Sequence, residues 1–161
     1  MRLVGIRASK RECFNVAKWA DVKRIARTLP ETTEDQSSSG KMWWTVSRKG
    51  YAWERPLRKS DIAALGKRAP KGPVLGLKTA DLEMKDVLLA SDPKVFFTTP
   101  HFDGYPAVLV ELDRISVKHL KEALTEAWFA CAGKRLAASF VAGLSPPAKS
   151  RGKATRSRKR A

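Results

Sequence analysis

Histidine and cysteine are almost missing from this chain, which carries two of each in 161 residues. Cys13 and Cys131 are too few and too far apart to make a disulfide framework or a zinc knuckle. Cys131 is expected in the core and Cys13 as a free thiol. There is no His-Glu-x-x-His pair, no Gly-x-Ser-x-Gly elbow, no Gly-x-x-x-x-Gly-Lys phosphate cradle and no Cys-x-x-Cys motif. Zincin, serine-hydrolase, P-loop and dithiol redox chemistry therefore lack their carriers, and we expect neither enzyme activity nor a cofactor. No apolar run approaches the roughly 20 residues that span a bilayer, and the N-terminus lacks the apolar region of a signal peptide. The setting this implies is reducing and cytoplasmic, with no membrane partner. Negative charge is missing from the last stretch, where residues 145–161 hold seven Lys or Arg and no Asp or Glu.

What is abundant is positive charge. The formal net charge is +16, and its distribution says more than its total. Residues 1–15 hold four basic groups against Glu12. Residues 41–78 hold ten against Glu54 and Asp61, whereas 79–126 hold five against nine. A basic surface attracts phosphate polyanions by Coulomb attraction and counterion release. With 43% hydrophobic residues, the chain can bury one core. The expected layout is an ill-ordered extension (1–15), one domain (16–144) and a disordered basic tail (145–161), the last opening at Pro146-Pro147 and too polar to fold alone.

Within the domain, a first helix is expected from about Asn15, with Trp19, Val22, Ile25, Ala26 and Leu29 on one stripe and Pro30 as its end. Glu31 to Gly40 has no apolar anchor and reads as a mobile connection. Met42, Trp44 and Val46 alternate with Trp43, Thr45 and Ser47 as a strand. Arg48-Lys49-Gly50 is the turn, with Gly50 supplying positive φ, and Tyr51 to Leu57 returns, lying at an edge or finishing at Pro56. Ser60-Asp61 caps a short helix through Leu65, Gly66 to Gly72 is a basic loop, and Pro73 to Thr79 is a strand. Asp81 to Ala90 places Met84, Val87 and Leu88 at helical spacing. Strands follow near 94–99 and 106–112. The last helix sets Val117, Leu120, Leu124, Ala127, Trp128 and Cys131 on one buried face, and Lys134 to Leu144 extends it raggedly. The order α-ββ-(short α)-β-α-ββ-α describes an α+β domain with a largely antiparallel sheet.

Two places invite a chemical reading. Pro100 to Pro106 brings His101, Asp103 and Tyr105 close in sequence, the materials of acid–base work; the alternative is that they shape a turn. Aromatic rings among cations suit base stacking, and alternation leaves one of Trp43 and Trp44 on the outer face; ordinary packing is the alternative. The expected phosphate contacts are Lys41, Arg48, Lys49, Arg55, Arg58 and Lys59 of the hairpin and its sequel, continued by Lys67, Arg68 and Lys71. In the tail they are Lys149, Arg151, Lys153, Arg156, Arg158, Lys159 and Arg160, which give affinity without sequence selectivity.

Several strings keep both content and order from Gly40 through Leu136: Tyr51-Ala52-Trp53-Glu54-Arg55-Pro56-Leu57, Gly72-Pro73-Val74-Leu75-Gly76, and Asp92-Pro93-Lys94-Val95-Phe96-Phe97-Thr98-Thr99-Pro100-His101-Phe102-Asp103-Gly104-Tyr105-Pro106, with Leu29-Pro30-Glu31 ahead of them. On these residues the chain resembles the MmcQ/YjbR family of small bacterial proteins. The resemblance implies a compact domain shaped like type III secretion chaperones, with a double-wing arrangement likened to a phage activator's DNA-binding domain. It implies DNA binding and brings no catalytic residue set; the expected partner is double-stranded DNA, with a non-specific electrostatic component. The rival expectation is a protein- or peptide-binding module that uses an open sheet face around Trp43, Trp53 and Leu109.

Overall fold

The computed structural model describes residues 15–143. The expected extension up to Phe14 and the whole tail, including its seven cations, lie outside the described residues. Five helices and six strands follow the order α1 (Trp19–Ala26), β1 (Thr33–Gln36), β2 (Met42–Val46), β3 (Lys49–Glu54), α2 (Lys59–Leu65), β4 (Val74–Lys78), α3 (Leu82–Ser91), β5 (Phe96–Phe97), β6 (Ala107–Glu111), α4 (Val117–Cys131) and α5 (Lys134–Val141). The strands form one antiparallel sheet in the spatial order β1-β2-β3-β4-β6-β5. An α+β domain is the outcome.

The first correction is β1. Residues 33–36 were expected in a mobile connection, yet they pair in register with β2, from Thr33 opposite Thr45 to Gln36 opposite Met42. Glu34 accepts a hydrogen bond from the indole N–H of fully buried Trp44 at 3.2 Å, so a polar edge strand is fastened by a core side chain. Periodicity misses it because an edge strand solvated on both sides needs no apolar face.

The β2–β3 turn is the second correction. Val46 pairs with Lys49, which makes a two-residue turn of Ser47 and Arg48, both at positive φ (50° and 64°), as a primed hairpin turn requires. Gly50 instead lies inside β3, where it is needed for a different reason. A Cβ there would sit 2.6 Å from Cε2 of Trp43, so the absent side chain lets the Trp43 ring lie on the strand backbone.

One face of the sheet carries the main core. Trp44, Tyr51, Leu75, Leu77, Val108 and Val110 are buried there against Val22 and Ile25 of α1 and Leu120, Leu124 and Trp128 of α4. The helix α4 is set by its N-cap, Ser116, whose hydroxyl accepts from the His119 N–H at 3.2 Å. Trp128 donates through Nε1 to the Pro30 carbonyl at 3.1 Å, tying the end of the first helical region to α4. The expected face of α4 is the buried one.

The rival, peptide-binding expectation needs the opposite face open, and most of it is not. Trp53, Val74, Phe102, Ala107 and Leu109 form a second core, with Leu57 and Phe97 packed against it. Trp53 lies over Gly76 of the neighbouring strand, close enough that a Cβ there would be 2.5 Å from Nε1. Trp53 is 8% exposed and Leu109 1%; of the expected apolar patch only Trp43, stacked on Trp53 at 5.5 Å between ring centroids, is substantially exposed, at 42%.

In α3 the orientation differs from the expected one. Lys85 is its buried residue, while Met84 and Val87 are exposed. The Lys85 ammonium donates to the carbonyls of Phe102 (2.6 Å) and Tyr105 (3.1 Å), so the helix turns a charged group inward to satisfy a loop's backbone acceptors. Among the described residues, no helix is long and apolar enough to cross a membrane.

Candidate nucleic-acid interface

The expected phosphate contacts do not form one surface. Lys41 precedes β2 and Arg48 follows it, and at about 3.3 Å per residue the two stand on the order of 20 Å apart, at opposite ends of the sheet. Arg48 and Lys49 are exposed at the turn. Arg58 and Lys59, also exposed, open α2 just beyond the far end of β3, on the side of Lys41.

Arg55 is corrected outright as a surface contact. Its Nη2 lies 3.0 Å from Oδ2 of Asp61, with side-chain exposures of 11% and 4%. Nη1 donates to the Pro56 carbonyl at 2.6 Å, and the guanidinium sits 5.5 Å above the Phe102 ring. Asp61 also accepts from the Arg58 backbone N–H at 2.9 Å, so it serves as the N3 acceptor of α2 rather than as its cap. Burial pushes the Asp61 carboxyl upward, but the Arg58 N–H and the Arg55 charge outweigh it, and the group is held below its ordinary value of 3.8. The fork that looked like a phosphate ligand is the internal clamp of the second core.

The cations that do converge are others. The loop Leu65–Lys71 faces the edge of the sheet at Pro93–Thr98 across a groove of about 760 Å³. Lys67, Arg68, Lys71, Lys94 and Arg114 line it, all exposed. Glu111 is the lining carboxylate, and it is engaged by Arg114 Nε at 2.8 Å. The floor is apolar, from Leu65, Pro70, Pro93 and half-buried Phe97. Lys67, Arg68 and Lys71 were visible as a basic loop. Lys94 and Arg114 were not singled out, because only the pairing of β5 with β6 and of β6 with β4 brings their segments beside that loop.

The His101, Asp103 and Tyr105 group stays dispersed. All three are exposed, and among the described residues no side-chain hydrogen bond joins them. His101 meets Phe102 edge to face at 4.9 Å, and Tyr105 lies under the Lys78 ammonium at 3.9 Å. Buried Lys85 holds the turn from inside; burial pushes its pKa below the ordinary lysine value against the pull of Asp103 and Asp86. Cys131 is buried as expected, its thiol pushed up by burial and 3.6 Å from the Gly50 carbonyl, to which it donates. Among the described residues, no cluster of three or more His, Cys, Asp or Glu is placed to hold a metal ion.

The YjbR family profile matches residues 27–130. Uncharacterized protein Rv2570 of Mycobacterium tuberculosis (strain ATCC 25618 / H37Rv) is 49% identical over 130 residues, covering 79% of this chain and 98% of that protein. Uncharacterized protein Mb2600 of Mycobacterium bovis matches to the same extent. In three dimensions the chain is similar to the crystal structure of Deinococcus radiodurans protein DR2400, whose domain is described as DUF419. The TM-score is 0.56 at 20% identity, over 86% of this chain and 96% of that one, a likeness of fold alone. On the span of the profile match and the identity to its mycobacterial relatives, this chain belongs to the YjbR family.

Proposed function

We propose that the folded domain binds nucleic acid, double-stranded DNA in the first instance, through phosphate contacts centred on the groove between the Leu65–Lys71 loop and β5. The single observation that supports this most is charge convergence: five exposed cations line one groove whose lining carboxylate is already paired with Arg114. Phosphate contacts of this kind fix position and affinity without reading sequence. Arg58 and Lys59 extend the positive surface from the start of α2, and the basic tail adds its own affinity. Arg48 and Lys49 at the hairpin turn are a minor, separate contact. The reading assigns no catalytic step and no cofactor, and its setting is the cytoplasm, on the strength of two cysteines without a disulfide framework.

The rival, a peptide-binding module working through the sheet face, needs that face open. Burial of Trp53 and Leu109 leaves it Trp43 alone.

The test is fluorescence anisotropy of labelled duplex DNA with the full chain, a chain ending at Gly143, and Arg68→Glu/Lys71→Glu and Arg48→Glu/Lys49→Glu variants of each. Each phosphate contact removed lowers the slope of log K on log salt by about 0.9. The groove pair should therefore lose about two units of slope, and more affinity than the turn pair. Binding that vanishes with the tail at about 0.1 M salt, where exposed charges are screened beyond about 10 Å, overturns the proposal for the folded domain.

A further inference from the structure

We propose that the groove is a nucleotide site: phosphates held by Lys67, Arg68, Lys71, Lys94 and Arg114, and a base lodged on the apolar floor beside Phe97. This deepens the reading above, on whose cations it rests, by naming the unit that the groove receives.

Gathering duplex phosphates needs the cations alone and leaves an apolar lining between them without a role, because the bases of a duplex are stacked out of reach. Here the cations ring a recess. Its volume, about 760 Å³, falls in the range of small-ligand sites, roughly 300–1,000 Å³. Leu65, Pro70, Pro93 and Phe97 supply its apolar lining. A ring of guanidinium and ammonium groups around an apolar floor matches a ligand with a polyanionic end and a flat, weakly polar body.

Two further features lie along the same wall. The strand β5 is an edge of the sheet with no strand on its outer side; its Phe96 N–H is already given to the Asp92 carbonyl at 2.9 Å, so the edge offers the rim of a base acceptors rather than donors. Thr98, next in the chain and also a lining residue, has a buried hydroxyl with no hydrogen-bond partner, an unusual condition in a folded protein.

The same chemistry comes from two sources: a free nucleoside polyphosphate, or the unpaired end of a nucleic-acid strand. Isothermal titration of the full chain with ATP, inorganic tripolyphosphate and a 5′-phosphorylated thymidine trinucleotide separates them, with duplex DNA anisotropy measured on the same samples. ATP should bind more tightly than tripolyphosphate, and Phe97→Leu, which keeps apolar volume and removes the ring, should weaken ATP on the order of fivefold while leaving tripolyphosphate unchanged. Lys94→Glu, at an exposed position away from both cores, should weaken ATP and trinucleotide about tenfold or more. A trinucleotide tighter than ATP assigns the site to strand ends, and the reverse assigns it to free nucleotides; either supports the site. Equal binding of ATP and tripolyphosphate, or indifference to Phe97→Leu, overturns it in favour of a plain anion site. Duplex binding without any ATP binding at about 1 mM overturns the nucleotide site and leaves the proposed function standing. Loss of all binding removes both.

Discussion

Replacing Arg55 by methionine distinguishes a structural clamp from a DNA contact. Methionine keeps the unbranched apolar stem over Phe102 and deletes the fork that binds Asp61 at 3.0 Å and the Pro56 carbonyl at 2.6 Å. Asp61 then keeps its charge, nearly out of water, with the Arg58 N–H still donating to it. Removing one member of a buried pair costs about 3–5 kcal/mol, and the high burial on both sides places this pair in that class. Urea unfolding of Arg55→Met at neutral pH should show a loss of that size. The sign of the pH dependence adds a second check. In the parent chain the Asp61 carboxyl is held below its unfolded value, so its stabilisation is present above about pH 4 and fades as pH falls through the lowered folded value. In Arg55→Met the guanidinium's lowering influence is gone while burial still pushes the carboxyl up, so the folded value moves upward from that of the parent. Acidification toward pH 4 then neutralises the stranded charge, and the stability gap to the parent should shrink. The double variant Arg55→Met/Asp61→Leu should recover much of the loss. An Arg55→Met protein within about 1 kcal/mol of the parent, with a smaller salt slope in DNA binding, would refute the clamp and restore Arg55 as a phosphate ligand.

Gly76→Ala and Gly66→Ala separate crowding from backbone strain. At Gly76 the new methyl meets the buried Trp53 indole and should cost about 1–3 kcal/mol by overpacking. Gly66 has open space around it but φ of +57°, so its cost is backbone strain of order 1 kcal/mol or so; equilibrium unfolding ranks the pair, and a harmless Gly76→Ala contradicts the packing described. Tyr51, fully buried, has its phenol pushed up by burial to about 12, against the opposing hydrogen bond of Thr32. Its raised value means that stability is intact below about pH 10 and declines between about 10 and 12 as the unfolded phenol ionises first. Phenolate absorbance should find one tyrosine titrating late, and Tyr51→Phe should abolish that share of the alkaline decline.

The sequence carried the elements whose signal is local. The α4 stripe from Leu120 to Cys131 and the alternation of Met42 to Val46 identify their buried faces correctly. The errors share one cause, which is that distant partners decide the outcome. Thr33 to Gln36 looks unstructured until Trp44 and β2 are beside it. Lys85 is buried because two carbonyls of the Phe102–Tyr105 turn need donors, and an amphipathic count over α3 cannot see them. Arg55 is six residues from Asp61, yet nothing short of the second core around Phe102 and Trp53 makes that neighbour its fixed partner. In the candidate site the same division holds. The cations of one loop were readable, whereas Lys94 and Arg114 join them only through the β4-β6-β5 order.

That order also limits where the sheet's own cations can gather. A sheet covered on one face by α1 and α4, and over the middle of the other by the second core, leaves its own long charged side chains few places except its ends and edges. At the turn end, Arg48 and Lys49 offer two cations with free access to water. At the other end the groove offers five around one engaged carboxylate. Because each neutralised phosphate adds about 0.9 to the salt slope, Arg48 and Lys49 by themselves supply roughly two units and the five groove cations up to about four or five. Hairpin tips make the more visible projection, but the recess holds the larger electrostatic capacity. The outcome that decides between them is which pair of reversals, at Arg48 and Lys49 or at Arg68 and Lys71, flattens the salt dependence of the tail-less domain.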